Sequence, residues 1–281
     1  MSMPSQRILI LLVNYFNESE TCSFIRTQIL TQNRNTKDVV IADNGSHDPW
    51  KLTQIAQEYS WVHVYPAGSN LGYLAGAAFG LKKYLGDGFL FPDFIILSNS
   101  DVGFVHNHFL EDMVLNHQHS GYDMIGPDIY SDLLHHHQNP FMLKRISLEK
   151  LKLLTFLSSN TLLHYLFLSW YYGKSWLIST FHNQREKAGH CLEVYGIHGS
   201  FMIFKKSFFT KGGCLHFPMH LFGEEIFLAE MATDLHLSVG YDPGLEIIHY
   251  EHKTTGRYKS RESVKQMNRS YQFLLSQRKG V

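Results

Sequence analysis

The chain has few cysteines, no excess of charge and none of the common phosphate-binding loops. Its three cysteines, Cys22, Cys191 and Cys214, form no CxxC pair, which is typical of free thiols in a reducing compartment and argues against a zinc site. Lysine plus arginine equals aspartate plus glutamate, 25 each, so no overall field favours nucleic acid. The segment "GSNLGYLAGAAFG" fits neither the G-x-G-x-x-G nor the Walker A pattern and indicates close helix packing. These absences predict a cytoplasmic protein without a nucleic-acid partner.

Apolar segments of strand length alternate with helical segments over the first 100 residues. The run Ile8 to Val13 is shorter than the core of a signal peptide, so we predict a buried first strand. Alternation of this kind predicts an α/β fold with a mainly parallel sheet. Ligands of such sheets bind at the carboxyl ends of the strands. Polar residues collect at those ends and predict a single crevice: Asn14, Asp43 to Ser46, Asn70, and Asn99 to Asp101.

The segment "FIILSNSDVGF" places Asn99 and Asp101 directly after a buried strand. A carboxylate at such a position binds a hard divalent cation, which can bridge two phosphates. Asn99 lies on the same side and can donate or accept a hydrogen bond. The alternative is that both residues stabilise a turn or cap the next helix.

The segment "ADNGSHD" ends the second strand with Asp43 and a tight Asn44-Gly45 turn. An aspartate there can accept a hydrogen bond from a base N–H or a ribose hydroxyl, or the segment is an ordinary turn before a helix. Asn70 and Gly72 begin a later helix and can face the same crevice.

Two further groups are candidates for chemistry. Glu224 and Glu225 are adjacent at a helix start, where two neighbouring carboxylates raise each other's pKa and suit a general base; a helix N-terminus also favours acidic residues without any catalytic role. His249 follows an apolar strand and is either a metal ligand or a core histidine. Lys253 and Arg257 belong to a basic cluster that can hold a diphosphate or is simply solvated.

The order of these motifs along the chain resembles that of the family 2 glycosyltransferases, which have the GT-A fold. Within that family, the chain resembles bacterial rhamnosyl- and galactofuranosyl-transferases in particular. The resemblance covers nearly the whole chain, and the DNGS-x-D motif is intact. The matching positions are Val13 to Tyr15, Asp43 to Ser46 with Asp48, Asn70 with Gly72, Asn99 with Asp101, Gly199 to Met202, Glu224 with Glu225, and His249.

The resemblance implies roles for these residues. Asp101 and His249 would hold Mg²⁺ or Mn²⁺ on the diphosphate of a sugar nucleotide. Lys253 and Arg257, from the basic cluster, are further candidates for contacting that diphosphate because of their charge. Glu225 would deprotonate the acceptor hydroxyl, with Glu224 as the other candidate. The remaining donor-site residues would be Asn14, Asp43, Asn44, Gly45, Asn70, Gly72, Asn99 and Ser100.

The implied reaction is an inverting transfer of a hexosyl or deoxyhexosyl group to a glycan or lipid-linked acceptor, in bacterial surface polysaccharide synthesis. Residues 1–105 would form the nucleotide-sugar half and residues 106–281 the acceptor half of one continuous domain, with a helical insertion at about 131–190. The competing classes are a sugar nucleotidyltransferase, against which "NYFNESE" after the first strand argues, and a non-catalytic sugar-nucleotide binder.

Residues 151–172 are long enough to span a bilayer, but Lys152, Asn160 and His164 interrupt them. We predict instead two amphipathic helices. They would close the acceptor cleft, form a dimer contact, or make a peripheral contact with the membrane.

Overall fold

The computed structural model describes residues 6–33, 37–166, 190–251 and 260–279. Its first part alternates strands and helices, as predicted. The elements are β1 (Ile8–Asn14), α1 (Glu18–Phe24) continuing into a π-helical turn (Ile25–Ile29), β2 (Lys37–Asp43), α2 (Pro49–Glu58), β3 (Val62–Pro66), α3 (Tyr73–Gly86) and β4 (Phe94–Ser98).

The second part is less regular and contains shorter elements. They are β5 (Val102–Phe104), α4 (Phe109–His117), β6 (Met124–Ser131), β7 (His136–His137), α5 (Leu148–Ser158), β8 (Leu192–Glu193), β9 (Phe201–Lys205), α6 (Lys206–Thr210), α7 (Glu224–Asp234), β10 (Val239–His249) and α8 (Arg261–Lys279).

All these strands belong to one sheet, with the order β3-β2-β1-β4-β9-β6-β10-β5 and with β7 and β8 paired to β6 and β10. Strands β1 to β4 are parallel. Strand β9 runs antiparallel to both β4 and β6, and β5 runs antiparallel to β10. The α/β prediction is therefore confirmed, and the sheet is parallel in its first half and mixed in its second.

The sheet is buried on both faces, which is why its strands are continuously apolar. Along β1, Ile8, Ile10 and Leu12 join one core cluster, whereas Leu9 and Leu11 join the cluster on the opposite face. Each such side chain contributes about 1.5–3 kcal/mol when fully buried.

The glycines of α3 bring that helix close to the sheet, as their spacing predicts. A Cβ on Gly80 would lie 2.8 Å from Cγ1 of Val40, and a Cβ on Gly76 would lie 2.9 Å from Nδ2 of Asn44. A larger side chain at either position would push α3 away from β2, which carries Asp43 at its end.

The insertion is helical only in part of its described length. It begins with the short strand β7, and helix α5 follows after a loop. α5 ends at Ser158, and residues 161–166 are again helical, so the described part of the predicted run 151–172 contains two helical segments. The rest of that run lies outside the described residues. α5 packs on α8, where Nδ2 of Asn268 donates to the Thr155 carbonyl (2.7 Å). No helix among the described residues is long and apolar enough to cross a membrane.

Candidate active site

The carboxyl ends of the central strands meet at one edge of the sheet, so the predicted crevice residues converge there. Asn14 is in register with Asp43 on the neighbouring strand. β4 ends beside them and leads directly into Asn99 and Asp101. Because β9 is antiparallel to β4, its beginning lies at this same edge, and the N–H of Asn99 donates to the Ser200 carbonyl (2.8 Å).

Asn14 and Asp43 form the buried floor of the first half of the crevice. Nδ2 of Asn14 donates to Oδ1 of Asp43 (2.9 Å), to Oγ of Ser46 (2.9 Å) and to the Gly45 carbonyl (3.2 Å). Oδ1 of Asp43 also accepts from the Gly45 N–H and the Ser46 hydroxyl. All these bonds to the carboxylate end at Oδ1, so Oδ2 has no hydrogen-bond partner among the described residues and can accept from a nucleoside.

Asn44 joins this floor to the start of α3. Its Nδ2 donates to the Gly72 carbonyl (2.8 Å), and the Gly72 N–H donates to Oδ1 of Asn70 (2.9 Å). Gly72 has φ +89°, and a Cβ there would lie only 2.6 Å from Cα of His220. A glycine is therefore required at this turn, and the predicted Asn70–Gly72 loop does border the crevice.

Ser100 connects the loop after β4 to the loop after β1. Nδ2 of Asn17 donates to Oγ of Ser100 (3.0 Å), while Oδ1 of Asn17 accepts from the Tyr15 N–H (3.1 Å). Asn17 was not singled out in the sequence because asparagines in loops give no distinguishing signal.

Asp101 and His249 lie side by side, although they are 148 positions apart in the numbering. Nε2 of His249 is 3.3 Å from Oδ1 of Asp101. The short strand β5 causes this approach, because Val102 pairs with His249 and the Tyr250 N–H donates to the Asp101 carbonyl (2.9 Å). The sequence does not predict β5, which has only three residues.

The other ring nitrogen of His249 is held by a group of polar side chains. Nδ1 lies 2.8 Å from Oε1 of Gln138. Nε2 of Gln138 donates to Oε1 of Glu251, which also accepts from the Ser131 hydroxyl (2.7 Å). A hydrogen bond from Nδ1–H to Gln138 leaves the lone pair of Nε2 directed at Asp101, which is the usual arrangement of a metal-binding histidine.

A carboxylate and an imidazole nitrogen fit a divalent cation that completes its shell with phosphate oxygens and water. The described residues contain no group of three or more histidine, cysteine, aspartate or glutamate side chains that would hold a metal by themselves. A cation at Asp101 and His249 would thus take the rest of its ligands from water and from a bound ligand.

Glu224 and Glu225 are the first residues of α7, as predicted, and they point in different directions because successive helix residues are rotated by about 100°. Glu224 is buried (6% exposed). Oε1 of Glu225 accepts from the Gly199 N–H (3.3 Å), and a Cβ on Gly199 would approach this oxygen to 2.8 Å. The glycine of the predicted Gly199–Met202 motif therefore allows Glu225 to approach the backbone before β9.

Two tyrosines show that the carboxylates share one electrostatic environment. The Tyr73 hydroxyl donates to the Gly199 carbonyl (3.2 Å). Its pKa is raised well above the usual value by burial and by the negative charges of Glu224, Asp101 and Glu225. Burial and the same two glutamates raise the pKa of Tyr271 to about 12. Neither tyrosine was predicted, since nothing in their local sequence distinguishes them from core aromatics.

His198 is another residue that the sequence did not reveal. Its ring lies next to His249, with 5.9 Å between ring centroids. The pKa of His198 is lowered to about 3, mainly by burial and to a smaller extent by His249 and His136, while the charge of Asp101 opposes this shift. The imidazole of His198 is therefore neutral near pH 7.

Lys253 and Arg257, predicted to contact a diphosphate, lie outside the described residues. The remaining predicted positions, from Asn14 to His249, all lie at or near the same sheet edge.

A mixed sheet of this order, with its polar strand ends around one crevice, has the GT-A fold. The model of the family described as "Glycosyl transferase family 2" matches residues 11–212. The chain therefore belongs to glycosyl transferase family 2. This match confirms the family resemblance, whereas the narrower resemblance to rhamnosyl- and galactofuranosyl-transferases stays a prediction.

Two solved structures have the same fold at low sequence identity. One is the mannosyltransferase PcManGT from Pyrobaculum calidifontis in complex with GDP-Man and Mn²⁺ (TM-score 0.54, 13% identity), which covers 91% of this chain. The chain spans 59% of the length of that structure. The other is described as a mycobacterial protein (TM-score 0.56, 14% identity), with 98% of this chain and 76% of that protein covered. A search of curated protein sequences found no significant match.

Proposed function

We propose that the chain transfers a sugar from a nucleotide-diphosphate sugar to an acceptor hydroxyl, with inversion at the anomeric carbon. Family membership supports glycosyl transfer. The observation that carries the proposal is the convergence of Asp101 and Glu225 on the segment before β9. Glu225 binds the Gly199 N–H, and His249 beside Asp101 contacts the ring of His198.

In this assignment, each part of the crevice handles one part of the reaction. Oδ2 of Asp43 accepts from the nucleoside. Glu225 takes the proton of the acceptor hydroxyl as its oxygen forms a bond to the anomeric carbon. The bond from that carbon to the β-phosphate oxygen breaks, and its electron pair leaves with the diphosphate. One displacement inverts the configuration.

We assign Mg²⁺ or Mn²⁺ to Asp101 and His249. When bound, the cation neutralises the charge on the departing diphosphate, so no protonation of the leaving group is needed. Mn²⁺ accompanies the sugar nucleotide in the mannosyltransferase structure, which supports the choice. Gln138 and Glu251 orient His249 for this purpose.

Glu225 is the better candidate for the base, and Glu224 is the alternative. Glu225 is half-buried and contacts the Gly199 backbone, whereas Glu224 is buried beneath the helix start. The N-terminus of α7 stabilises a negative charge, which keeps a carboxylate ionised before it accepts a proton.

The acceptor is proposed to be a glycan or a lipid-linked glycan of the bacterial surface, used at the cytoplasmic face of the membrane. Helix α5 supports a lipid-linked acceptor, because its face opposite α8 exposes Leu153 (52%) and Phe156 (61%). Lys150 and Lys152 are exposed at the two borders of this apolar stripe. Basic residues that flank exposed apolar side chains suit an anionic bilayer surface.

The test is release of nucleoside diphosphate from a panel of sugar nucleotides, with Mn²⁺, with Mg²⁺ and with a chelator. Slow transfer to water makes the assay independent of the acceptor. We expect release from one donor class, dependent on the cation, and its loss in Glu225→Gln without loss of donor binding. NMR of the released sugar before mutarotation reports inversion. Donor binding without release, even with lipid and glycan fractions added, would instead identify a non-catalytic binder.

A further inference from the structure

His198 lies beside His249, and hydrogen bonds and ring packing hold it there. The backbone N–H of His198 donates to Oδ1 of Asn139 (2.7 Å). Nδ2 of that buried asparagine donates to the Pro127 carbonyl (2.8 Å). The ring packs edge-on against Phe141, with 5.6 Å between centroids, and contacts His249 on another side. Backbone and ring are therefore both fixed before any ligand binds.

The hydrogen bonds of the ring determine which nitrogen carries the proton. The Ser200 N–H donates to Nδ1 of His198 (3.2 Å), and Oγ of Ser200 lies 2.9 Å from the same nitrogen. A backbone N–H can only donate, so Nδ1 must be the acceptor and carries no hydrogen. The hydrogen is then on Nε2, which has no partner among the described residues.

We propose that Nε2–H of His198 donates a hydrogen bond to the diphosphate of the sugar nucleotide, in addition to the cation at Asp101 and His249. This inference rests on the proposed function. Its basis is the position of His198 between the two proposed functional groups. The ring contacts His249 of the cation site, and the next residue, Gly199, donates a hydrogen bond to Glu225. A nitrogen that carries a hydrogen has no lone pair for a metal, so His198 is a hydrogen-bond donor and not a third metal ligand.

The donor is most effective as the bond to the anomeric carbon breaks. Negative charge then accumulates on the diphosphate, and a hydrogen bond to a charged oxygen is stronger than one to a neutral oxygen. Because the ring is already oriented, little reorganisation opposes the interaction. His198 is thus expected to contribute to both donor affinity and turnover.

Four variants separate this role from a structural one. In His198→Gln, the amide nitrogen reaches the position of Nε2 and can donate. In His198→Asn, the shorter amide ends near the position of Nδ1, and in His198→Ala nothing remains. The matched control is His119→Ala, because His119 is an exposed histidine away from the crevice. Thermal unfolding identifies the variants that fold.

The experiment measures, by calorimetry, binding of Mn²⁺ alone and then of GDP, UDP and dTDP to the Mn²⁺-loaded protein. We expect nucleoside diphosphate affinity to fall about 10- to 100-fold in His198→Ala and His198→Asn, with partial recovery in His198→Gln and no change in Mn²⁺ affinity. ¹⁵N NMR of the wild-type ring should show a protonated Nε2 and an unprotonated Nδ1.

Each contrary result has a distinct meaning. If the wild type binds none of the nucleoside diphosphates, the proposed function fails, and this inference fails with it. If the wild type binds but His198→Asn binds equally well, only the role of His198 is wrong. Loss of Mn²⁺ affinity in His198→Asn, or a protonated Nδ1, would overturn the inference by making His198 a metal ligand.

Discussion

Replacing Asn14 by aspartate should make the stability of the protein strongly dependent on pH. Asn14 is fully buried, and its Nδ2 lies 2.9 Å from Oδ1 of Asp43. Asn14→Asp puts a second carboxylate oxygen in that place without changing the shape of the side chain. Two negative charges at this separation repel by about 6 kcal/mol at an effective dielectric constant of 20.

The protein can escape part of this repulsion by binding a proton, which gives the prediction its sign. The introduced carboxyl has a raised pKa in the folded state. The repulsion therefore lowers the free energy of unfolding at pH values above about 3.9, the pKa of an aspartate in the unfolded chain, and this loss vanishes at lower pH. A protonated carboxyl again donates a hydrogen bond to Asp43. We expect a loss of about 4–6 kcal/mol in the free energy of unfolding at pH 7, and only about 1–2 kcal/mol at pH 4.

Urea unfolding at pH 4 and pH 7, followed by circular dichroism, measures both values. The matched control is Asn14→Ala, which loses about 2–4 kcal/mol at both pH values because it removes the hydrogen bonds without adding a charge. Equal losses for Asn14→Asp at the two pH values would refute the buried Asn14–Asp43 contact.

Three further predictions concern other parts of the molecule. Asp101→Ala should lower Mn²⁺ affinity at least about 100-fold in calorimetry, with an unchanged far-ultraviolet spectrum; normal affinity would remove Asp101 from the cation site. Gly72→Ala should lower the free energy of unfolding, measured in urea, by at least about 2 kcal/mol because of its positive φ. The control Gly86→Ala has open space around the new methyl group and should not destabilise the protein. Equal effects of the two substitutions would contradict the tight turn at Gly72. Phe156→Ser should weaken binding to phosphatidylglycerol vesicles about 10-fold or more, and Lys152→Glu should weaken it only for these anionic vesicles; unchanged binding in both variants would exclude this face from membrane contact.

The sequence alone determined the fold class and the position of the crevice. Continuous apolar runs such as Phe94–Ser98 are buried on both faces and leave few alternatives to a central strand. The carboxyl ends of parallel strands must lie at one edge of the sheet, so the placement of Asp43 and Asn99 in one crevice follows from periodicity and strand direction. The DNGS-x-D order then indicated the family, which the family match confirmed.

Only the tertiary structure decided which side chains meet within that crevice. Asp101 contacts His249 because a three-residue strand pairs with the end of β10, and so short a strand leaves no periodic signal. The orientation of His198 depends on Asn139, which is distant in sequence, and on the Ser200 backbone. Local patterns determine which segments are buried, whereas long-range pairing determines which polar atoms come within hydrogen-bonding distance.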